Sequence, residues 1–209
     1  DRVELPDGVE ISFGGEIEDQ QEAMTFLMGA FVAAIFLMFT ILLIQMNSFY
    51  QAFLVLTAIV FSISGVFLGL MIRQEAFSIV MSGIGIMALA GVVVNNNIVL
   101  IDAYNEYRGD GDDPDRAARR AAAERVRPVL LTAGTTVIGL IPMVLGMTVD
   151  FTGRDLFFGA PSGQFWIQLS TGIAGGLVVA TAVTLVLTPT LLAWDGRRRL
   201  ARAARRAAA

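Results

Sequence analysis

Five apolar stretches without a single charged side chain constrain this chain more than any other feature of its sequence. A helix rising ~1.5 Å per residue crosses the ~30 Å hydrocarbon core of a bilayer in about 20 residues, and each stretch exceeds that length. Lipid offers the backbone no hydrogen-bond partner, so each stretch must be helical. The chain is predicted to be an all-α membrane protein. Its spans are residues 24–45, 51–72, 76–101, 128–149 and 164–194.

The composition agrees with a membrane location and excludes several classes of chemistry. Of 209 residues, 55% are hydrophobic and 16% charged, whereas soluble domains are roughly a quarter charged. There is no Cys and no His, which excludes Ser-His-Asp and Cys-His nucleophilic sites. No metal-ligand cluster, phosphate loop or nucleic-acid patch is recognisable. We therefore expect no enzyme activity, no metal, no cofactor and no nucleic-acid partner.

The distribution of arginine predicts the orientation in the membrane. All 15 basic residues are Arg, and basic residues concentrate on the cytoplasmic side of membrane proteins. A cytoplasmic C-terminus places twelve arginines inside and three outside, and it places the N-terminus on the outer side of the membrane. The inside group is Arg108, Arg116, Arg119, Arg120, Arg125, Arg127, Arg197, Arg198, Arg199, Arg202, Arg205 and Arg206; the outside group is Arg2, Arg73 and Arg154.

Three regions follow from this pattern. Residues 1–22 are polar, and the alternation at 9–13 predicts a strand that ends at Gly14 and Gly15. Residues 23–196 form the transmembrane domain, and residues 197–209 form a basic cytoplasmic tail. The tail is interpreted either as a helix on anionic lipid or as a solvated, frayed terminus. Because the chain starts at Asp1 with no signal peptide, we expect a fragment, a processed product or an excised piece of a longer protein.

The connections between the spans are unequal. Residues 102–127 are predicted to be a long, charged connection, and residues 150–163 a polar, Gly-rich one. Pro128 is predicted to start the fourth helix, because Pro at a first helical position costs no hydrogen bond.

Three consecutive asparagines make the third span unusual. Asn95, Asn96 and Asn97 lie about two thirds of the way along it. Successive helix residues point ~100° apart, so the three cannot face one partner. At least one must meet a polar group on another helix or in a water-filled cavity. Polar residues within the membrane indicate function by default, and interhelical packing is the equal alternative.

Other polar residues have weaker claims. Asp102 ends the third span and is either a functional carboxylate or a solvated interfacial one. Thr132 and Thr136 share a face of the fourth span, with Thr135 beside them, although membrane threonines usually bond their own backbone.

Two glycine pairs predict close helix packing. Gly65 with Gly69, and Gly172 with Gly176, have the four-residue spacing that lets helix backbones approach.

An ordered set of short motifs resembles one transporter family. The chain is similar to the second half of inner-membrane pumps of the resistance-nodulation-division (RND) efflux family, of the acriflavin-resistance type. The resemblance implies five helices of an RND-type bundle preceded by the last strand of a periplasmic porter domain. The motifs are residues 5–8, 14–16, 45–49, 91–102, 124–132 and 139–142.

The resemblance also implies roles for particular residues. In the family, the first half carries two adjacent Asp that bind the transported proton. Asn95 and Asn96 stand at the matching place of the second half, and Arg125 and Thr132 match proton-relay positions. Asn97, Asp102 and Thr136 are further candidates. Asn95 stands where some members have Lys, and because an Asn cannot titrate, this chain has no proton carrier of its own.

The implied activity is proton-driven drug efflux by a bacterial inner-membrane protein. The implied partners are an absent N-terminal half with the Asp-Asp helix, further copies in a homotrimer, a periplasmic adaptor and an outer-membrane channel. Two alternatives remain at this point: a non-transporting membrane scaffold or accessory subunit, and a protein-translocation subunit of the same superfamily.

Overall fold

The chain forms five long helices and one short hairpin in a computed structural model, which describes residues 16–150, 155–158 and 163–207. The strand predicted at residues 9–13 lies outside this part. Within the described residues, five helices are long and apolar enough to cross a membrane. They are α1 (Glu16–Met46), α2 (Phe49–Arg73), α3 (Ile79–Gly109), α4 (Pro114–Val144) and α5 (Gln164–Ala207).

Side-chain caps define where α2 and α3 begin. Ser48 and Ser78 precede α2 and α3, and each hydroxyl accepts the N–H of the residue three positions on, at 3.5 Å. Such caps satisfy amide groups that a helix N-terminus leaves free. The Ser78 cap explains why α3 starts at Ile79, three residues after the predicted start of its span.

The fourth helix starts earlier than the sequence predicted. Pro128 lies inside α4, and Pro114 occupies the first turn after the Asp113 cap. The Ala-rich segment that follows Pro114 has high helix propensity, and Pro128 removes a single backbone donor from a helix already formed. The prediction that Pro128 starts the helix is therefore wrong. Most of the predicted 102–127 connection is helical as well, since α3 ends at Gly109.

The connection between α4 and α5 differs from expectation. The fourth helix ends at Val144, and Gly146 turns the chain with a positive φ of 66°, a conformation that Gly adopts without a steric cost. The strands β1 (Met147–Asp150) and β2 (Asp155–Phe158) then pair in antiparallel fashion, with Met147 opposite Phe158. A hairpin therefore begins at Met147, inside the predicted span 128–149, and occupies part of the connection predicted to be polar and Gly-rich.

The fifth helix does not stop at the membrane boundary. It runs without interruption to Ala207, through the segment predicted as a tail. Arg and Ala have high helix propensity, and Arg199 bonds Asp195 four residues earlier at 2.6 Å. The interpretation of residues 197–207 as a frayed terminus is therefore wrong.

The fifth helix is the centre of the bundle. It packs against α2, α3 and α4, while α1 lies at the edge against α2 and α3. We call the end where α3 ends and α4 begins the arginine-rich end, because the C-terminal extension of α5 projects there. Tyr50 and Tyr104 donate hydrogen bonds to the Leu191 and Leu192 carbonyls of α5 near this end. These bonds tie α2 and α3 to the central helix.

Candidate functional site

The three asparagines of α3 face three different environments. Asn97 is completely buried and Asn96 is buried, whereas Asn95 is exposed on the bundle surface. This divergence follows from the ~100° step between helix residues. The expectation that at least one of them meets a polar group on another helix is met by Asn97.

Asn97 forms a polar node with two threonines of α5. Its side-chain nitrogen donates to Thr184 Oγ1 at 3.0 Å and to the Val93 carbonyl at 3.0 Å. Its side-chain oxygen accepts from Thr188 Oγ1 at 2.7 Å. Thr184 and Thr188 are each 1% exposed, and their four-residue spacing puts both hydroxyls on one face. We call Asn97, Thr184 and Thr188 the amide node.

The face of α3 that carries the node is set by helical spacing. Leu89, Val93 and Asn97 are buried and lie four positions apart, so they share one face of the helix. Tyr104 follows two turns later on that face. Leu89 packs on Gly176 of α5, and Tyr104 donates to the Leu192 carbonyl at 3.1 Å. The node is thus one point on a continuous seam between α3 and α5.

Asn95 belongs to a different stripe of the same helix. Ile84, Ala88, Gly91 and Asn95 are exposed at spacings of four, three and four residues, which places them on one face. In this stripe Asn95 is the polar side chain, about 10 Å along the helix from Asp102. The stripe, which we call the open face of α3, has no neighbour among the described residues that buries it.

The α4 candidates lie apart from the asparagines. No hydrogen bond or ion pair among the described residues joins Asn95, Asn96, Arg125 and Thr132 to one another. Thr132 donates to the Pro128 carbonyl and Thr136 to the Thr132 carbonyl. These threonines therefore satisfy their hydroxyls on their own helix, which is the common behaviour in membranes.

Arg125 retains unused hydrogen-bonding capacity. Its guanidinium lies 4.0 Å from a Glu124 carboxylate oxygen, a partly exposed pair of little energetic weight. Its Nε is buried and has no hydrogen-bond partner within the described part of the chain. A buried guanidinium N–H without a partner is costly, so this group is suited to an acceptor supplied by another segment.

Asp102 is exposed, and a separate network occupies the turn beyond it. Tyr107 donates to the Glu124 carboxylate, and this hydrogen bond raises the pKa of Tyr107. Arg120 stacks over the Tyr107 ring and bonds Asp112 at 2.7 Å. The network joins the ends of α3 and α4 and does not include Asp102.

The glycines proposed for packing lie on the seam between α2 and α5. A Cβ on Gly65 would lie 2.7 Å from the Val179 Cβ, and one on Gly69 would lie 2.9 Å from the Thr171 carbonyl. Gly172 approaches Val66, while Gly176 is covered by Leu89 and Val66. Sequence reasoning missed Gly175, whose Cβ would lie 2.7 Å from the Gly69 Cα.

Sequence reasoning also missed Thr184 and Thr188. Their four-residue spacing is the same signal that drew attention to Thr132 and Thr136. The sequence does not distinguish the two pairs, because only the fold decides that α5 lies at the centre and α4 at the surface. The spacing of Thr184 and Thr188 was therefore visible in the sequence, but their hydrogen bonds to Asn97 were not.

No metal centre is formed by this part of the protein. Among residues 16–150, 155–158 and 163–207, no group of three or more His, Cys, Asp or Glu side chains converges.

Five apolar helices around a polar central seam define a multi-pass membrane protein. The family comparison then specifies which kind. The chain belongs to the AcrB/AcrD/AcrF family, whose model matches residues 1–194, and it is a member of the RND permeases. The family predicted from the motifs is thus confirmed, and so is the all-α membrane fold.

Several relatives show the range of the family. The chain is 34% identical to the cobalt-zinc-cadmium resistance protein CzcA of Cupriavidus metallidurans over 190 residues, which are 91% of this chain and 17% of CzcA. It is 29% identical to the multidrug resistance protein MdtC of Salmonella paratyphi A, over 94% of this chain and 18% of MdtC. A crystal structure of a heavy metal efflux pump superposes with a TM-score of 0.71 and 33% identity, covering 90% of this chain and 18% of that one. The chain therefore spans less than a fifth of these relatives.

Proposed function

We propose that this chain is the C-terminal membrane half of an efflux pump driven by the proton-motive force. Family membership supports efflux, and the open face of α3 supports the proton-driven mechanism. Asn95 is exposed on that face, where the other exposed residues Ile84, Ala88 and Gly91 are apolar. An amide facing lipid would leave its hydrogen bonds unsatisfied, so we infer that another protein segment covers this face.

The segment we propose to cover it is the missing N-terminal half with its two Asp. The Asn95 amide can donate a hydrogen bond to a carboxylate but cannot supply a counter-charge. Asn96 follows it along the helix and is buried in the bundle, and Arg125 on α4 offers an unpartnered Nε. Protonation of the Asp pair would weaken its contacts with these donors and shift the helices.

The proposal is tested in proteoliposomes that contain the full-length protein. An imposed pH gradient drives proton flux, which a pH-sensitive dye reports. Asn95→Leu should reduce flux about tenfold or more, the scale of losing one charge-assisted hydrogen bond. The relay roles proposed for Asn96 and Thr132 predict that Asn96→Leu and Thr132→Val reduce flux as well. Thr190→Val is the matched control, since Thr190 is exposed on α5 and bonds its own backbone at 2.6 Å.

If the Asn95→Leu variant and the Thr132→Val variant both retained the wild-type rate of flux, the relay assignment would be overturned. A full-length protein that moves no protons under any gradient would instead favour the scaffold or accessory-subunit alternative. Cross-linking of the purified protein would test the proposed homotrimer.

Divalent transition-metal cations are a second candidate substrate class beside drugs. The identities to CzcA and to the nickel and cobalt resistance protein CnrA, 34% and 35%, exceed the 29% to MdtC. Expression of the full-length protein in a pump-deficient host should then raise tolerance to cobalt, zinc or cadmium. Raised tolerance to dyes alone would assign it to drugs.

A further inference from the structure

Many threonines elsewhere in these helices donate their hydroxyls to their own helix, and this makes the amide node unusual. Thr57, Thr136 and Thr181 each donate to the carbonyl four residues earlier. Thr184 and Thr188 instead bond Asn97 of a neighbouring helix. The node therefore joins α3 to α5, whereas a hydroxyl bonded to its own helix would not link the two helices.

Hydrophobic burial alone does not set the rotation of α3 about its axis. From Ile79 to Ile101 the helix is apolar on every side except for Ser82 and the three asparagines. In a bilayer an apolar side chain is as stable against lipid as against another helix. Close packing and hydrogen bonds must therefore determine which face of α3 contacts α5. Three adjacent asparagines add ambiguity, because a turn of ~100° would present Asn96 to α5 in place of Asn97.

We propose that Asn97 is a positioning residue that fixes the rotation of α3 on α5 and thereby directs Asn95 out of the bundle. Two residues separate Asn97 from Asn95 by ~200°, so holding one amide inward holds the other outward. Tyr104, two turns further along the same face, bonds the Leu192 carbonyl. The hydrogen bonds from Asn97 and Tyr104 therefore reach α5 on either side of Pro189, which has no backbone N–H for a hydrogen bond within its own helix. The consequence for transport rests on the function proposed above.

The variants that test this inference remove polar atoms while keeping side-chain volume. Asn97→Leu removes the amide, and Thr184→Val with Thr188→Val removes both hydroxyls. Thr181→Val is the matched control, because Thr181 is buried on the same helix and its hydroxyl bonds the Leu177 carbonyl at 2.7 Å. Thr188→Ser retains a hydroxyl and should behave as the unmodified protein.

Helix orientation is read by a disulfide between α3 and α5. A Cβ built on Gly85 lies 3.7 Å from Ile173 Cγ1, an ordinary contact distance. The pair Gly85→Cys and Ile173→Cys is introduced into the full-length protein after any other cysteines are replaced; this chain contains none. Asn97→Leu and the double Val variant should each slow cross-linking about threefold, the factor for one average interhelical hydrogen bond in a membrane. Unchanged cross-linking in both would overturn the inference.

Transport is measured on the same variants and separates the two proposals. Asn97→Leu should lose proton-driven flux and regain it when the cysteine pair is oxidised, because the tether restores the orientation. Slowed cross-linking with wild-type flux would uphold the positioning role and overturn the relay role of Asn95. Lost flux with unchanged cross-linking would overturn the positioning role and leave the proposed function standing.

Discussion

Single small residues set the distance between helices in this protein. Gly65, Gly69 and Gly175 bring the backbones of α2 and α5 together so closely that no Cβ fits between them. In a membrane, such van der Waals contact replaces the hydrophobic drive that holds a soluble core together. The stability of the bundle should therefore depend strongly on these positions and weakly on exposed glycines.

Substitution of Gly175 by Ala should destabilise the bundle. The new Cβ would lie 2.7 Å from the Gly69 Cα and 2.8 Å from the Gly65 carbonyl oxygen. Both are backbone atoms, which cannot relieve the clash by a change of rotamer. We expect a loss of about 1–3 kcal/mol, typical of overpacking, measured as a lower melting temperature in detergent. Gly29→Ala is the control, since no atom lies within 4 Å of its Cβ; equal melting temperatures for the two variants would contradict the tight seam.

Replacement of Tyr104 by Phe should weaken the grip of α3 on α5. The buried hydroxyl donates to the Leu192 carbonyl, and a lost hydrogen bond of this kind costs about 1 kcal/mol. Thermal unfolding measures the loss. Tyr107→Phe is the comparison, because that hydroxyl reaches Glu124 at the protein surface and its removal should change stability less. A larger effect at Tyr107 would reverse this ranking.

At the scale of elements, helices continue beyond the membrane where the sequence suggested that they stop. Residues 114–127 extend α4, and residues 195–207 extend α5. Both segments are rich in Ala and Arg, which favour helix in water as well as in lipid. A charge pattern therefore marks where the membrane ends, and it does not mark where the helix ends.

A proline in the α5 extension should unfold it. Arg202→Pro removes a backbone donor and costs about 3 kcal/mol relative to Ala in a helix interior, so amide hydrogens beyond residue 198 should exchange rapidly with deuterium. Arg202→Ala loses the same charge and should keep the protection. Rapid exchange in the unmodified protein would show that the extension is not helical.

At the scale of the whole molecule, the asymmetry of arginine should fix the topology. The extension of α5, the end of α3 and the first part of α4 carry most of the arginines, and arginine-rich segments tend to stay in the cytoplasm. A cysteine introduced at Ala203 should react with an impermeant maleimide only in inside-out vesicles, and one at Gln74 only in right-side-out vesicles. Labelling of both from the same side would contradict the predicted orientation.

The sequence by itself determined the membrane environment, the five helical segments and the family, because uncharged length and ordered motifs are local properties of a chain. It also predicted that adjacent asparagines must diverge, since the helix pitch requires it. Only the tertiary structure decided that Asn97 is the asparagine that contacts α5 and that its hydrogen-bond partners are Thr184 and Thr188. It also decided that Pro128 lies within a helix. Apolar residues are equally stable against lipid and against protein, so the choice of facing surfaces depends on glycine contacts and on hydrogen bonds between residues 87 and 91 positions apart.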